Sequence, residues 1–400
     1  TRQIAWGLVN LNLDAGDFFV ERLSAEHPGQ VLHGNAWVPL QERQETILVK
    51  GGAAVPLVVR STPHGPLVDH LQPDQQQALS FRWVYAVAED ANDINGFYDL
   101  NRARDWTGFR AALSQFGAGA QTATYADAQG HIGMQVSGRI PLRAGRPDGL
   151  GYRAGWTGRD EWQGFLPFAR NPSVFDPPAG LIAVANDPPP RSPELYLSAY
   201  YEPEDRIVRI REMLGRKERF SLEELGRMQS DVVFVTGRAL APQVLAAFAA
   251  DPPREPALRA ALEALRGWDG AMTVDSTGAA VFAVFYKHLF PEIFADELGD
   301  KVVAALRSRN NQSAVMLHAV LNGGLERWFD RQDTPQVEDR AAIFRAALGK
   351  AATELTRRLG EDPAQWRWGR LHQILFRHPL GRVRVLAPLF NEGPFPLPGH

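Results

Sequence analysis

Residues 4–21 read Ile-Ala-Trp-Gly-Leu-Val-Asn-Leu-Asn-Leu-Asp-Ala-Gly-Asp-Phe-Phe-Val-Glu. The opening run, Ile4 to Val9, is short and apolar, which predicts a strand, and the polar Asn10 closes it. Asp14, Gly16 and Asp17 follow at close spacing. The residues ahead of the run, Thr1 to Gln3, lead into it without a break and read as the inside of a folded domain, so a missing signal peptide carries no information.

Downstream of this stretch the first half remains strand-like. Glu45 to Lys50 alternates, Leu57 to Arg60 follows, and Thr62 to Pro66 is a Pro/Gly turn. Leu79 to Val87 is a further strand candidate, and Tyr125 to Gly133 predicts a hairpin turning near Ala128 to Gly130. One helix is expected in this half, with Asp105 as N-cap and Trp106, Phe109 and Leu113 on one face. From about Glu202 the period becomes helical. Ile207, Ile210 and Leu214 share a face, Ser221 and Glu224 form a capping box, and further helices are expected at about 241–249, 256–266, 296–307 and 337–358. The expected division is a β-rich part, residues 1–200, and a mainly helical part, 201–400. The Pro/Gly-rich stretches at 143–151, 171–180 and 187–193 read as loops within one body.

Composition narrows the function classes. The 400 residues carry a net charge of −3, so no basic field exists to hold nucleic acid. The absence of cysteine removes disulfides, thiolate nucleophiles and Cys-ligated zinc. No apolar run approaches the roughly 18 residues that span a bilayer. There is no G-x-S-x-G elbow, H-E-x-x-H pair or P-loop, and the 10 histidines lack metal-ligand spacing. An N-terminal nucleophile would escape such a search. Its own α-amine, with a pKa of about 8, takes the hydroxyl proton, and the oxyanion needs only a backbone N–H and an amide side chain.

The ordered blocks of the chain resemble the penicillin amidase family, N-terminal-nucleophile hydrolases that include penicillin acylases and acyl-homoserine lactone acylases. Ile4–Gly7 and Asp14–Glu21 are similar to its Trp-Gly strand and acidic loop. Leu32–Trp37, Arg43–Lys50, Thr62–Pro66, Gly158–Phe168, Asn171–Pro172, Gly180–Asn186, Asp205–Ile207, Trp268–Gly270 and Trp366–Gly369 follow in the family's order. The resemblance implies an α+β fold, a four-layer αββα core of two stacked antiparallel sheets with a large helical region. It implies an amidohydrolase that removes the acyl side chain of penicillin-like, cephalosporin-like or N-acyl-homoserine lactone amides through an acyl-enzyme. It also implies a large subunit cut from a zymogen, a small-subunit partner completing a heterodimer, no nucleic-acid or membrane partner, a periplasmic or secreted location and an antibiotic biosynthetic setting. The family's nucleophilic Ser lies several dozen residues ahead of the Trp-Gly strand, and its sequence continues beyond Gly393–His400. The expectation is therefore a fragment lacking its nucleophile and C-terminal part, inactive alone. Thr1 stands just ahead of the strand rather than at the processing site.

Residue by residue, the resemblance implies that Asn186 is the oxyanion-hole amide and that Asn10 supplies the second donor from its backbone N–H. An Asn turning the chain before Pro188 is the structural alternative for Asn186. The resemblance implies a calcium ion held by Asp14, Gly16 and Asp17, with Glu194 as a distant carboxylate, and hard oxygen ligands suit it. Arg206 matches an Arg that orients the site or substrate; the alternative is a salt bridge to Asp205 or Glu204. His64 is read as structural, and Trp6, Trp37, Trp162 and Trp268 as core or pocket-wall aromatics. Two other functions remain open on the residues alone: an inactive homologue or secreted binding protein, and a glycoside hydrolase, which would need a carboxylate pair that nothing singles out.

Overall fold

The computed structural model describes residues 2–68, 76–117, 119–190, 195–309 and 311–400. The chain forms two compact units, Thr1–Glu202 and Pro203–His400.

In the first unit, strands follow one another as β1 (Ile4–Asn10), β2 (Gly16–Arg22), β3 (Gln30–His33), β4 (Ala36–Pro39), β5 (Gln41–Ile47), β6 (Val55–Thr62), β7 (Gly65–Pro66) and β8 (Gln77–Trp83). Beyond three helices come β9 (Gln121–Asp127), β10 (Ile132–Val136), β11 (Pro141–Arg143), β12 (Arg153–Ala154), β13 (Trp162–Phe165) and β14 (Ser173–Phe175). One sheet has the order β1-β9-β10-β14, all antiparallel. A second is built around β2, which pairs antiparallel with β8 and β3, and parallel with the short β12. The hairpin β5–β6, extended by β7, forms a third.

Helix Trp106–Leu113 starts where expected: the Asp105 side chain accepts from Gly108 N at 2.8 Å. Its face of Phe109 and Leu113 buries against Ile4, Ala123 and Tyr125 of the first sheet. Met134 and Val136 cover the opposite face with Leu11, Ile140, Leu166 and Leu197. The alternation along β9 and β10 therefore serves two cores at once. Two local expectations give way. The strand expected over Leu79–Val87 stops at Trp83, and Val84–Val87 turns helical, with Val84 N donating to Ala15 O at 2.9 Å. A second helix, Asp93–Leu100, precedes the expected one, capped by the Asn92 side chain.

The second unit is mainly helical. Helices Asp205–Leu214, Leu222–Gln229, Val235–Ala246 and Pro256–Leu265 lead to Thr277–Arg307, then Gln312–Asn322 and Arg340–Leu359. Ser221 and Glu224 form the capping box in both directions. The element expected at 296–307 is the tail of a longer one that begins at Thr277 and is interrupted at Gly299, φ 74°. Its first part buries Val281, Phe282, Phe285, Leu289, Phe290, Ile293 and Phe294 in the core. Buried positions run around most of its circumference, with Lys287 left exposed, as a helix packed on several sides requires. Each such side chain contributes about 2–3 kcal/mol on burial. Among the described residues, no helix is long and apolar enough to cross a membrane.

Candidate active site

The register of β1 decides what Asn10 presents. Leu11 N donates to Ala120 O at 3.2 Å and Ala128 N to Gln3 O at 2.9 Å, which makes Ile4↔Asp127 and Asn10↔Gln121 the non-hydrogen-bonded pairs of the ladder. The N–H and C=O of Asn10 therefore both point away from β9, along the side of β1 where no described strand pairs. There the Asn186 side chain meets it: Asn186 Nδ2 donates to Asn10 O at 2.8 Å. A primary amide carries two hydrogens, so this bond fixes the direction of the second. Two donors, the Asn10 N–H and that amide hydrogen, thus share one edge.

Local structure holds both residues. Gln121 Nε2 donates to Asn10 Oδ1 at 3.0 Å. Asn186 sits at φ 64°, a left-handed conformation that Asn tolerates better than other side-chain-bearing residues, in a turn rather than at a strand end. Asp187 Oδ1 accepts from Ala185 N at 2.8 Å, and Asn186 O accepts from Glu202 N at 3.2 Å. Sequence reasoning missed Gln121, whose neighbourhood follows only from strand pairing.

Asp14, Gly16 and Asp17 stand together, in surroundings that do not fit calcium. Asp17 is buried, its Oδ2 accepting from Arg143 Nε at 2.8 Å and from Trp162 Nε1, and its Oδ1 lying 2.9 Å from Arg153 Nε. Asp14 Oδ2 accepts from Gly149 N at 2.8 Å and the Tyr196 hydroxyl at 2.9 Å, and its backbone carbonyl accepts from Arg143. Burial, and then that bond to Asp14, push the Tyr196 hydroxyl up to about 12. Calcium wants six or more oxygen ligands with free lone pairs. Here donors occupy Asp14 Oδ2 and Asp17 Oδ2, while Asp17 Oδ1 faces Arg153 without a hydrogen bond, and two guanidiniums already neutralise Asp17. Gly16 opens β2, and its lack of a side chain admits the Phe81 ring, which a Cβ would approach to 2.8 Å. Glu194 and Thr1 lie outside the described residues.

Arg206 lies in the second unit, in the first turn of helix Asp205–Leu214. It lines a cavity of about 280 Å³ with Asp205, Arg209, Asp231 and His400. In that group Arg209 is the one that pairs with Asp231, at 2.7 and 2.9 Å. Trp162 proves to be more than a wall, since its ring nitrogen serves Asp17.

His64 is buried in the turn between β6 and β7, as a structural reading expects, but among charges. Its Nδ1 lies 2.7 Å from Glu21 Oε1 and its Nε2 2.9 Å from Glu161 Oε1, while its ring stacks on Phe19 at 4.0 Å. Burial opposes the imidazolium; hydrogen bonds to Glu161 and Glu21 outweigh it and raise the group from 6.5 to about 9. The same bond to His64 holds Glu161 below the usual carboxylate range.

Comparison with known proteins gives the family. The family model for penicillin amidase matches residues 1–400. Acyl-homoserine lactone acylase QuiP of Pseudomonas aeruginosa is 31% identical over 98% of this chain and 48% of its own length. Penicillin G acylase of Escherichia coli is 33% identical over 69% of this chain and 32% of its own. A thermostable penicillin G acylase from Alcaligenes faecalis superimposes with a TM-score of 0.73 at 23% identity, over 92% of this chain and 69% of that one. The chain belongs to the penicillin amidase family, and its fold is the α+β N-terminal-nucleophile hydrolase fold. It spans about half the length of the curated acyl-homoserine lactone acylase it matches. Neither the binding-protein nor the glycosidase alternative gains from these matches.

Proposed function

We propose that this chain carries the oxyanion-binding part of an acylase that hydrolyses the amide between an acyl chain and an amine. N-acyl-homoserine lactones lead as substrates, because the match to a lactone acylase covers nearly the whole chain; penicillin- and cephalosporin-like amides come second. The observation that carries the reading is the Asn186 amide on the Asn10 carbonyl, beside an outward-facing Asn10 N–H.

The chemistry follows. The hydroxyl of an N-terminal Ser, supplied from outside this chain, attacks the amide carbonyl and passes its proton to its own α-amine. The carbonyl oxygen becomes an oxyanion and takes hydrogen bonds from Asn10 N–H and the second hydrogen of Asn186 Nδ2. Collapse of the intermediate expels the amine, which leaves with that proton. Water then gives a proton to the α-amine and attacks the acyl-enzyme, the same two donors hold the new oxyanion, and collapse returns the proton to the Ser oxygen and releases the acid. Preorganised donors of this kind are worth ~10²–10³ in kcat each. Arg206 orients the site or the substrate. A small subunit cut from the same zymogen completes a periplasmic heterodimer. No step uses calcium.

The test is hydrolysis by the whole mature protein of a long-chain N-acyl-homoserine lactone and a phenylacetyl amide, followed by release of the free amine. Turnover of either supports an acylase, and the faster one names the acyl class. Turnover of neither by a folded, processed protein refutes the reading.

A further inference from the structure

His64 also belongs to a cluster that acyl transfer does not use. His33, His64 and Glu161 each offer one ligand atom, and these atoms lie within 4.8 Å of one another. The three come from separate segments: His33 ends β3, His64 sits in the turn before β7, and Glu161 precedes β13. The His33 and His64 ring centroids are 5.2 Å apart.

We propose that His33, His64 and Glu161 form a binding site for a divalent transition ion of the zinc class, with a remaining position open to water. Two imidazoles and a carboxylate are a donor set for such an ion, tetrahedral with one place free. Three observations support it. His33 Nδ1 is buried with no hydrogen-bond partner, an unmet polar atom that coordination would satisfy. Behind His64, buried Glu21 accepts at Nδ1, and Thr62 and Ser80 hydroxyls donate to the same Glu21 oxygen at 2.8 and 2.6 Å. This is the carboxylate–histidine–metal arrangement that orients a ligand ring and raises its basicity. Two carboxylates also reach His64, Glu21 at Nδ1 and Glu161 at Nε2, and a dication would meet the charge of both. The Glu161 side chain is 32% exposed while His64 is fully covered, so the ion would enter from the Glu161 side.

Cobalt(II) is the probe, since four-coordinate cobalt absorbs visibly. The whole mature protein is stripped with chelator, titrated with Co²⁺, and back-titrated with Zn²⁺. The expected result is a tetrahedral absorption saturating at a single equivalent, bleached by Zn²⁺ and lost in both His33→Ala and Glu161→Gln. Both positions reach solvent, and melting curves of the stripped variants confirm that they fold. Glu21→Gln should weaken the site about 10–100-fold without abolishing it. The proposal is overturned if the wild-type protein shows no such band, or if His33→Ala and Glu161→Gln bind Co²⁺ as wild type does.

Discussion

Asn186→Gly removes the side-chain amide yet keeps a residue at ease at φ 64°. Asn186→Ala removes the same amide and adds the strain of a Cβ in the left-handed region, about 1–2 kcal/mol. Both variants lose the 2.8 Å bond to Asn10 O, worth about 1 kcal/mol. Stability should therefore fall by about 1 kcal/mol in the glycine variant and about 2–3 kcal/mol in the alanine one. Activity should not follow that order. If the second amide hydrogen stabilises the oxyanion, both variants lose ~10²–10³ in kcat with little change in KM. The assay is steady-state amine release by the mature protein, beside urea unfolding of the same preparations. A glycine variant with wild-type kcat would remove Asn186 from the site. A kcat loss confined to alanine would mean that backbone strain, and not the missing donor, caused it.

Three further outcomes are expected. Asp17→Asn leaves Arg143 and Arg153 buried beside an uncharged amide, and should destabilise the first unit by about 3–5 kcal/mol; a loss below about 1 kcal/mol in urea unfolding would contradict the ion-pair cage. Calcium added to metal-stripped protein should leave the melting temperature unchanged, because Arg143 and Arg153 already neutralise Asp17; a saturable rise abolished by Asp17→Asn would overturn this. His64 holds its proton more tightly folded, at about 9, than the ordinary 6.5 of an unfolded chain. Its contribution is thus complete below pH 6.5 and fades as pH rises through 9, by at most about 3 kcal/mol. Unfolding in chelator-treated buffer across that window should show the decline, and His64→Gln should flatten it.

How much of this could be read from the sequence depends on how far apart the cooperating residues lie. Asp105 and the Ser221–Glu224 box announced their helices because a cap and its partner are three residues apart. Asn10 and Asn186 were found through ordered family blocks; nothing local to either predicts the bond between them. Arg143 and Arg153 were invisible, since their claim on Asp17 arises only when β11, β12 and β2 come together. The helix from Thr277 was missed for a different reason. Phe282, Val284, Phe285, Phe290 and Phe294 are buried around most of the helix circumference, which erases the amphipathic period that marks a surface helix. Val84–Val87 misled in the opposite way. A β-prone run continued a strand on paper, while Ala15 O took the Val84 N–H and Ala88 N closed a helical turn.

The pairing of β1 with β9 sets Ile4 against Asp127 and Asn10 against Gln121. A ribosome must therefore deliver most of the first unit before β1 has its partner. Until then its Trp-Gly segment stays an unsatisfied edge, the kind that invites association between nascent chains. The second unit meets no such delay, because Thr277–Arg307 and its partner Arg340–Leu359 emerge within one short interval. Local helical contacts assemble faster than long-range strand pairings. The half of the molecule that carries Asn10 and Asn186 is thus the slower to mature, and the half most dependent on protection during synthesis.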